Sequence, residues 1–100
     1  MATLHTVNKS PFEMNSFDTC LGLAKSGSSI LLIEDGVYAA TTGHSIADKI
    51  KNTSGISFYV LGPDLQARGL ENKLADGIKV VDYDGFVDLA AEHSTVQAWL

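Results

Sequence analysis

Cysteine and long apolar runs are both scarce in this sequence of 100 residues. Because Cys20 is the single cysteine, the chain forms no internal disulfide, and its fold must depend on a hydrophobic core. The longest aliphatic run, Ile30–Ile33, is far shorter than the roughly 20 residues of a membrane-spanning helix. Residues Met1–Val7 have neither the basic residues nor the apolar stretch of a secretory signal. We therefore expect a cytoplasmic protein without a membrane segment.

Basic residues are also few, with seven against twelve acidic ones and a net charge of −5. Domains that bind nucleic acid usually present a basic face, because contacts with phosphates supply most of the affinity. The basic residues of this chain are scattered, so we expect no direct binding of nucleic acid. The hydrophobic fraction of 45% suffices for one core, which predicts a single domain over residues 1–100.

Two kinds of apolar segment alternate along the chain. Strand-like segments are predicted at Thr3–Val7, Ser29–Ile33, Ile56–Leu61, Ile78–Val81 and, from the alternation of Val96, Ala98 and Leu100, at the C-terminus. Helical segments are predicted at Phe17–Ala24, Val37–Ala40, Ser45–Asn52, from Gly62-Pro63-Asp64 onward, and from Asp84 onward. This alternation predicts an α/β fold with a mostly parallel sheet of four or five strands and helices on both faces. It does not specify the order of the strands.

Common catalytic and ligand-binding motifs are absent. The sequence contains neither of the glycine-rich loops that cradle phosphates, nor the G-x-S-x-G turn of serine hydrolases. Its histidines (His5, His44 and His93) are far apart, and none has a metal-ligand spacing with Cys20. His93 lies on the apolar stripe of its helix, which indicates a structural role, and His44 is predicted to be a loop residue. We expect neither a metal nor a cofactor.

Acidic residues follow the predicted strands, where open α/β sheets usually bind ligands. They are Glu34, Asp35, Asp64, Asp82 and Asp84. One hypothesis is a receiver-like module that binds a metal or a phosphoryl group through Asp35, Asp64 or Asp82. Against it, the first strand is followed by Asn8-Lys9, where receiver domains have an acidic pair. The alternative, and the more frequent role, is that Asp64 and Asp84 cap helices.

Cys20 is the only candidate nucleophile. It shares a helical stripe with Phe17 and Ala24, which is typical of a small buried residue. Lys25 lies five positions further on and does not face it, so the spacing supplies no cation to lower the pKa of the thiol. Spacing alone therefore favours packing over reactivity.

Four collinear motifs resemble the DsrH/TusB family over nearly the whole chain. They are LHTVNKSPF (Leu4–Phe12), ILLIEDGVYAA (Ile30–Ala40), FYVLGPDLQARGL (Phe58–Leu70), and a C-terminal third with Val81-Asp82-Tyr83, Phe86-Val87 and Gln97-Ala98-Trp99. The family patterns that they match are L-H-T-x-x-x-S-P, a strand followed by x-D-G-V/I-x-A-A, and a strand followed by x-D-x-x-A-R-G.

This resemblance implies a flavodoxin-like subunit of a cytoplasmic heterohexamer. Its partners would be two homologous chains, DsrE/TusD-like and DsrF/TusC-like, with each of the three chains present twice. Such complexes pass sulfur as a cysteine persulfide to a small carrier protein of the DsrC/TusE type. Since the principal persulfide cysteine belongs to the DsrE/TusD chain, the present chain is expected to be a non-catalytic or accessory subunit.

The resemblance also implies roles for two residues and a choice between two pathways. Cys20 falls where DsrH-type sequences carry a cysteine, which makes it a candidate secondary persulfide acceptor. Cys20 and the residues of the motifs, which are closer to DsrH than to TusB, favour a role in dissimilatory sulfur oxidation. The alternative is a role in 2-thiolation of the tRNA wobble uridine. Trp99, next to the C-terminus, is a candidate interface residue, although packing on its own sheet explains it equally well.

Overall fold

A computed structural model describes residues 2–12 and 14–99 and shows five strands in one sheet. The strands are β1 (Thr3–Val7), β2 (Ser29–Leu32), β3 (Ser57–Leu61), β4 (Ile78–Val81) and β5 (Thr95–Trp99). Their order across the sheet is β4-β3-β2-β1-β5, and every neighbouring pair is parallel. The predicted α/β class and parallel sheet are confirmed.

In the part of the chain that the structure describes, four α-helices and two 3₁₀ helices connect the strands. The α-helices are α1 (Ser16–Leu23), α2 (Ser45–Lys51), α3 (Gly62–Ala67) and α4 (Tyr83–Glu92), and the 3₁₀ helices are Glu34–Ala40 and Glu71–Lys73. The first 3₁₀ helix begins three residues before the predicted turn at Val37, whereas the second was not predicted. Across residues 2–12 and 14–99, no helix has both the length and the apolarity to cross a membrane.

The two faces of the sheet bury separate sets of side chains, because successive residues of a strand point to opposite sides. On the first face, Val7, Ile30 and Val60 form a large core with residues of α1, α2, α3 and the first 3₁₀ helix. On the second face, a smaller core joins Leu4 and Leu31 to α4. The connections from β1 through to β4 thus cross the first face, and α4 returns across the second. Helices on both faces are confirmed.

Burial follows the position of each strand in the sheet. All four residues of β2, a central strand, are buried, as expected for a continuous apolar run in a parallel sheet. In β5, an edge strand, only Trp99 is partly buried, while Val96 and Ala98 are exposed. The predicted C-terminal strand is confirmed, but its alternating apolar residues do not enter the core. Leu100 lies outside the described residues.

The N-terminus of α4 lies two residues earlier than the sequence predicts. Asp82, rather than Asp84, is the capping residue, because its backbone is extended and its Oδ1 accepts a hydrogen bond of 2.8 Å from the Gly85 N–H. Asp84 lies in the first turn of α4, where its charge is favourable to the helix dipole. The predicted cap at Asp84 is therefore wrong, since only Asp82 has the backbone conformation of a cap.

Candidate functional site

Cys20 lies within α1, and its side chain is completely buried in the core of the first face. Burial raises the pKa of its thiol from 9.0 to about 12, so the thiol is protonated at neutral pH. Persulfide transfer requires a thiolate and an accessible sulfur atom. In this conformation Cys20 packs like a small apolar side chain, and sulfur uptake would require α1 to separate from the sheet.

Trp99 is held by an internal hydrogen bond. Its indole Nε1–H donates to His5 Nδ1 at 3.0 Å, and the two rings are tilted by 44° with centroids 6.1 Å apart. The Trp99 side chain packs against the core of the first face and is partly exposed. This contact accounts for the presence of a tryptophan on an edge strand, and no partner chain is needed to explain it. An interface role for its exposed part remains a prediction.

The contact between His5 and Trp99 predicts that acid destabilises the protein. Burial lowers the pKa of His5 from 6.5, and its Nδ1 can accept the Trp99 hydrogen bond only when unprotonated. Well above pH 6.5 the imidazole is neutral in the folded and unfolded chains, so it adds no pH dependence. As the pH falls below 6.5, the unfolded chain binds the proton first, and the free energy of unfolding decreases until the folded-state pKa is passed.

Urea unfolding between pH 5 and pH 7.5, followed by Trp99 fluorescence, measures this loss. The variant His5→Asn removes the titrating group and should flatten the decrease. The matched variant Gln97→Asn changes an exposed, non-titrating residue of β5 and should keep it. Equal pH slopes in the wild type and His5→Asn would contradict the prediction.

The carboxylates at the carboxyl ends of the strands each contact a different partner within the chain. Asp64 Oδ2 accepts a hydrogen bond of 2.7 Å from the Glu34 N–H, and Asp35 Oδ1 pairs with Arg68 at 2.9 Å. Asp82 caps α4. Within residues 2–12 and 14–99, no group of three or more His, Cys, Asp or Glu side chains is placed to hold a metal ion. The geometry therefore gives Asp35, Asp64 and Asp82 internal structural partners.

Sequence reasoning missed the partners of Asp64 and Asp35. Asp64 does not cap α3, which begins at Gly62 with Pro63 in its first turn, but holds the backbone where β2 passes into the first 3₁₀ helix. There Glu34 adopts a φ of 48°, a left-handed conformation that is unfavourable for a residue with a side chain. The Asp64 bond stabilises this bend. Asp64 and Arg68 both belong to the x-D-x-x-A-R-G motif, and both contact the Glu34-Asp35 segment of the preceding motif. The occurrence of the two motifs together was the sequence signal that could have indicated this contact.

Two further histidines have structural partners. His44 lies in the loop directly before α2, as predicted, and it also caps that helix by accepting from the Ile46 N–H at 3.2 Å. His93 lies directly after α4, with Nδ1 2.6 Å from the Leu89 carbonyl oxygen and Nε2 2.9 Å from Ser29 Oγ. The structural role predicted for His93 is confirmed.

These features define a small flavodoxin-like α/β protein whose lone thiol is buried. Solved structures share this architecture. The ychN protein of Escherichia coli superposes with a TM-score of 0.79 at 17% identity, covering 98% of this chain and 99% of that one. Protein Tm0979 from Thermotoga maritima gives 0.67 at 24% identity, covering 92% and 93%. At these identities the likeness establishes the fold.

Comparison of sequences gives the family. Residues 9–96 match the family model described as DsrH like protein. The chain is 36% identical to Protein TusB of Pectobacterium parmentieri and 38% identical to Protein TusB of Escherichia coli O1:K1, each over 96 residues. Both alignments cover 96% of this chain and 99% of the relative. The chain belongs to the DsrH/TusB family, as its motifs predicted.

Proposed function

We propose that this chain is a subunit of a cytoplasmic sulfur-relay complex that supplies persulfide sulfur for the 2-thiolation of tRNA. The observation that carries the proposal is the 36–38% identity to TusB proteins over almost their entire length. By the family resemblance, its partners are TusD-like and TusC-like homologous chains, and the complex delivers sulfur to a TusE-like carrier.

The structure supports an accessory role in such a complex. The only cysteine is buried with a raised pKa, which supports the uptake of sulfur by a thiol of another subunit. The carboxylates Asp35, Asp64 and Asp82 are occupied by internal hydrogen bonds or an ion pair. The chain then contributes by completing the assembly rather than by carrying out a chemical step.

Sulfur oxidation, which the residues of the motifs favoured, becomes the second candidate pathway. It retains one supporting observation, a cysteine at the position where DsrH-type sequences carry one. Because Cys20 is buried in the core, its presence is explained by packing and distinguishes the two pathways poorly. The curated relatives named TusB therefore shift the proposal to tRNA thiolation.

Deletion of the gene in a bacterium that carries it separates the pathways. If the proposal is correct, mass spectrometry of tRNA nucleosides will show loss of 2-thiouridine derivatives, and re-expression of the chain will restore them. Unchanged thiouridine with impaired oxidation of reduced sulfur would overturn the tRNA proposal in favour of the second candidate. Unchanged thiouridine with normal sulfur oxidation would contradict both pathways.

A further inference from the structure

A groove with a volume of about 680 Å³ opens beside β4, the edge strand opposite β5. Its apolar floor and walls include Pro63, Leu65, Leu74 and Val80, and its acidic rim is formed by Glu71 and Asp82. We call it the β4 groove. Its volume lies in the range that holds a small molecule or a few side chains of another chain.

The β4 groove exists because β4 is only partly covered on the first face of the sheet. Val80 is 52% exposed, although residues on this face of β1, β2 and β3 are fully buried, such as Val7, Ile30 and Val60. Gly62 at the start of α3 also lines the groove, and a Cβ there would lie 3.0 Å from Val80 Cγ1. Glycine at this position thus leaves the space above Val80 open.

The charged residues that line the β4 groove are both acidic. No basic residue lines it, while Glu71 and Asp82 are both exposed at its rim. Residues 71–88 contain five of the twelve acidic residues of the chain but two of the seven basic ones. An acidic rim around an apolar floor is complementary to an apolar side chain with a cation beside it.

We propose that the β4 groove docks a segment of a homologous partner subunit in which an apolar side chain is flanked by lysine or arginine. This inference rests on the proposed function, which supplies such partners. Among the described residues, no strand lies beyond β4 in the sheet, so the backbone groups on its outer edge can hydrogen-bond an extended segment. A second copy of this chain is disfavoured as the occupant because two acidic rims, on chains of charge −5, repel each other.

Binding to the partner chains tests the inference. The purified chain is titrated into a co-expressed pair of the two homologous subunits encoded with it, and the dissociation constant is measured by calorimetry at low and high salt. Glu71→Lys and Val80→Lys should each raise the constant at least about tenfold, since one reverses the rim charge and the other removes the apolar contact. Glu71→Gln should have an intermediate effect, and Glu71→Lys should reduce the salt dependence.

Matched substitutions outside the groove provide the controls. Val87→Lys and Glu92→Lys change the same residue types at exposed positions of α4 and should bind like the wild type. Circular dichroism melts of each variant establish that the fold is intact. Groove variants that bind as tightly as the wild type, or controls that weaken binding equally, would overturn the inference. A wild-type chain that self-associates through Val80 would also overturn it, whereas a wild-type chain that binds no partner pair would overturn the proposed function itself.

Discussion

Replacing Gly36 with alanine is expected to lower the free energy of unfolding by about 3 kcal/mol or more. Gly36 lies in the first 3₁₀ helix, and a Cβ there would overlap the Val7 carbonyl oxygen and lie 2.9 Å from the Val7 carbonyl carbon. That carbonyl cannot turn away freely, because it accepts a hydrogen bond of 3.0 Å from the Ile33 N–H. Relief of the overlap requires the 3₁₀ helix and β1 to separate.

Thermal unfolding of Gly36→Ala should show a midpoint more than about 10 °C below that of the wild type, given the size of the chain. Gly22→Ala is the matched control. Gly22 is exposed within α1 and has no atom within 4 Å of a Cβ, so alanine there should raise stability by about 0.5–1 kcal/mol. A Gly36→Ala midpoint equal to that of the wild type would show that the 3₁₀ helix does not press against β1.

The alternation of apolar segments was sufficient to predict the elements of this fold but not their arrangement. Every predicted strand is present in the structure. The continuous apolar run Ile30–Leu32, for example, is typical of a strand in a sheet that is covered on both sides. The order β4-β3-β2-β1-β5 depends on which face each connection crosses, and no local pattern encodes that. For the same reason, the exposure of Val96 on β5 was not predictable from its alternation with Ala98.

Local chemistry predicted helix boundaries within a few residues, and errors arose where two similar residues competed. Asp82 and Asp84 are both suitable caps by type, and the choice depends on backbone angles fixed by the end of β4. Asp64 was expected to serve its own helix, yet its carboxylate accepts from Glu34, thirty residues earlier in the chain. Such contacts depend on neighbouring strands in the sheet, so spacing along the sequence does not reveal them.

The sequence predicted which residues belong to the candidate site, but not the burial or the contacts of their side chains. The sequence left Cys20 as a packing residue or a sulfur acceptor, and its burial in the structure favours packing. Trp99 was open to an interface role or internal packing, and its hydrogen bond with His5 joins residues at opposite ends of the chain. The resemblance of the motifs identified the family, but it carried no information about the exposure of these side chains.

Alkylation of Cys20 in the folded chain is expected to be at least about a thousandfold slower than in the urea-unfolded chain. The rise of the thiol pKa from 9.0 to about 12 lowers the thiolate fraction at neutral pH by about three powers of ten. Complete burial of the side chain slows the reaction further, because the reagent can reach the sulfur only when α1 opens. Iodoacetamide labelling followed by intact-protein mass spectrometry measures both rates.

The same experiment in the assembled complex decides between the two roles of Cys20. If Cys20 only packs, labelling stays slow in the complex, a persulfide donor adds no sulfur to this chain, and Cys20→Ala supports normal tRNA thiolation. Cys20→Ser should lower the free energy of unfolding by about 1–3 kcal/mol because it buries a hydroxyl group without a hydrogen-bond partner. Rapid labelling in the complex, with an added sulfur that disappears in Cys20→Ala, would instead establish Cys20 as a secondary acceptor. That result would also show that docking to the partner chains moves α1 away from the sheet, since the free chain offers the sulfur no path to solvent.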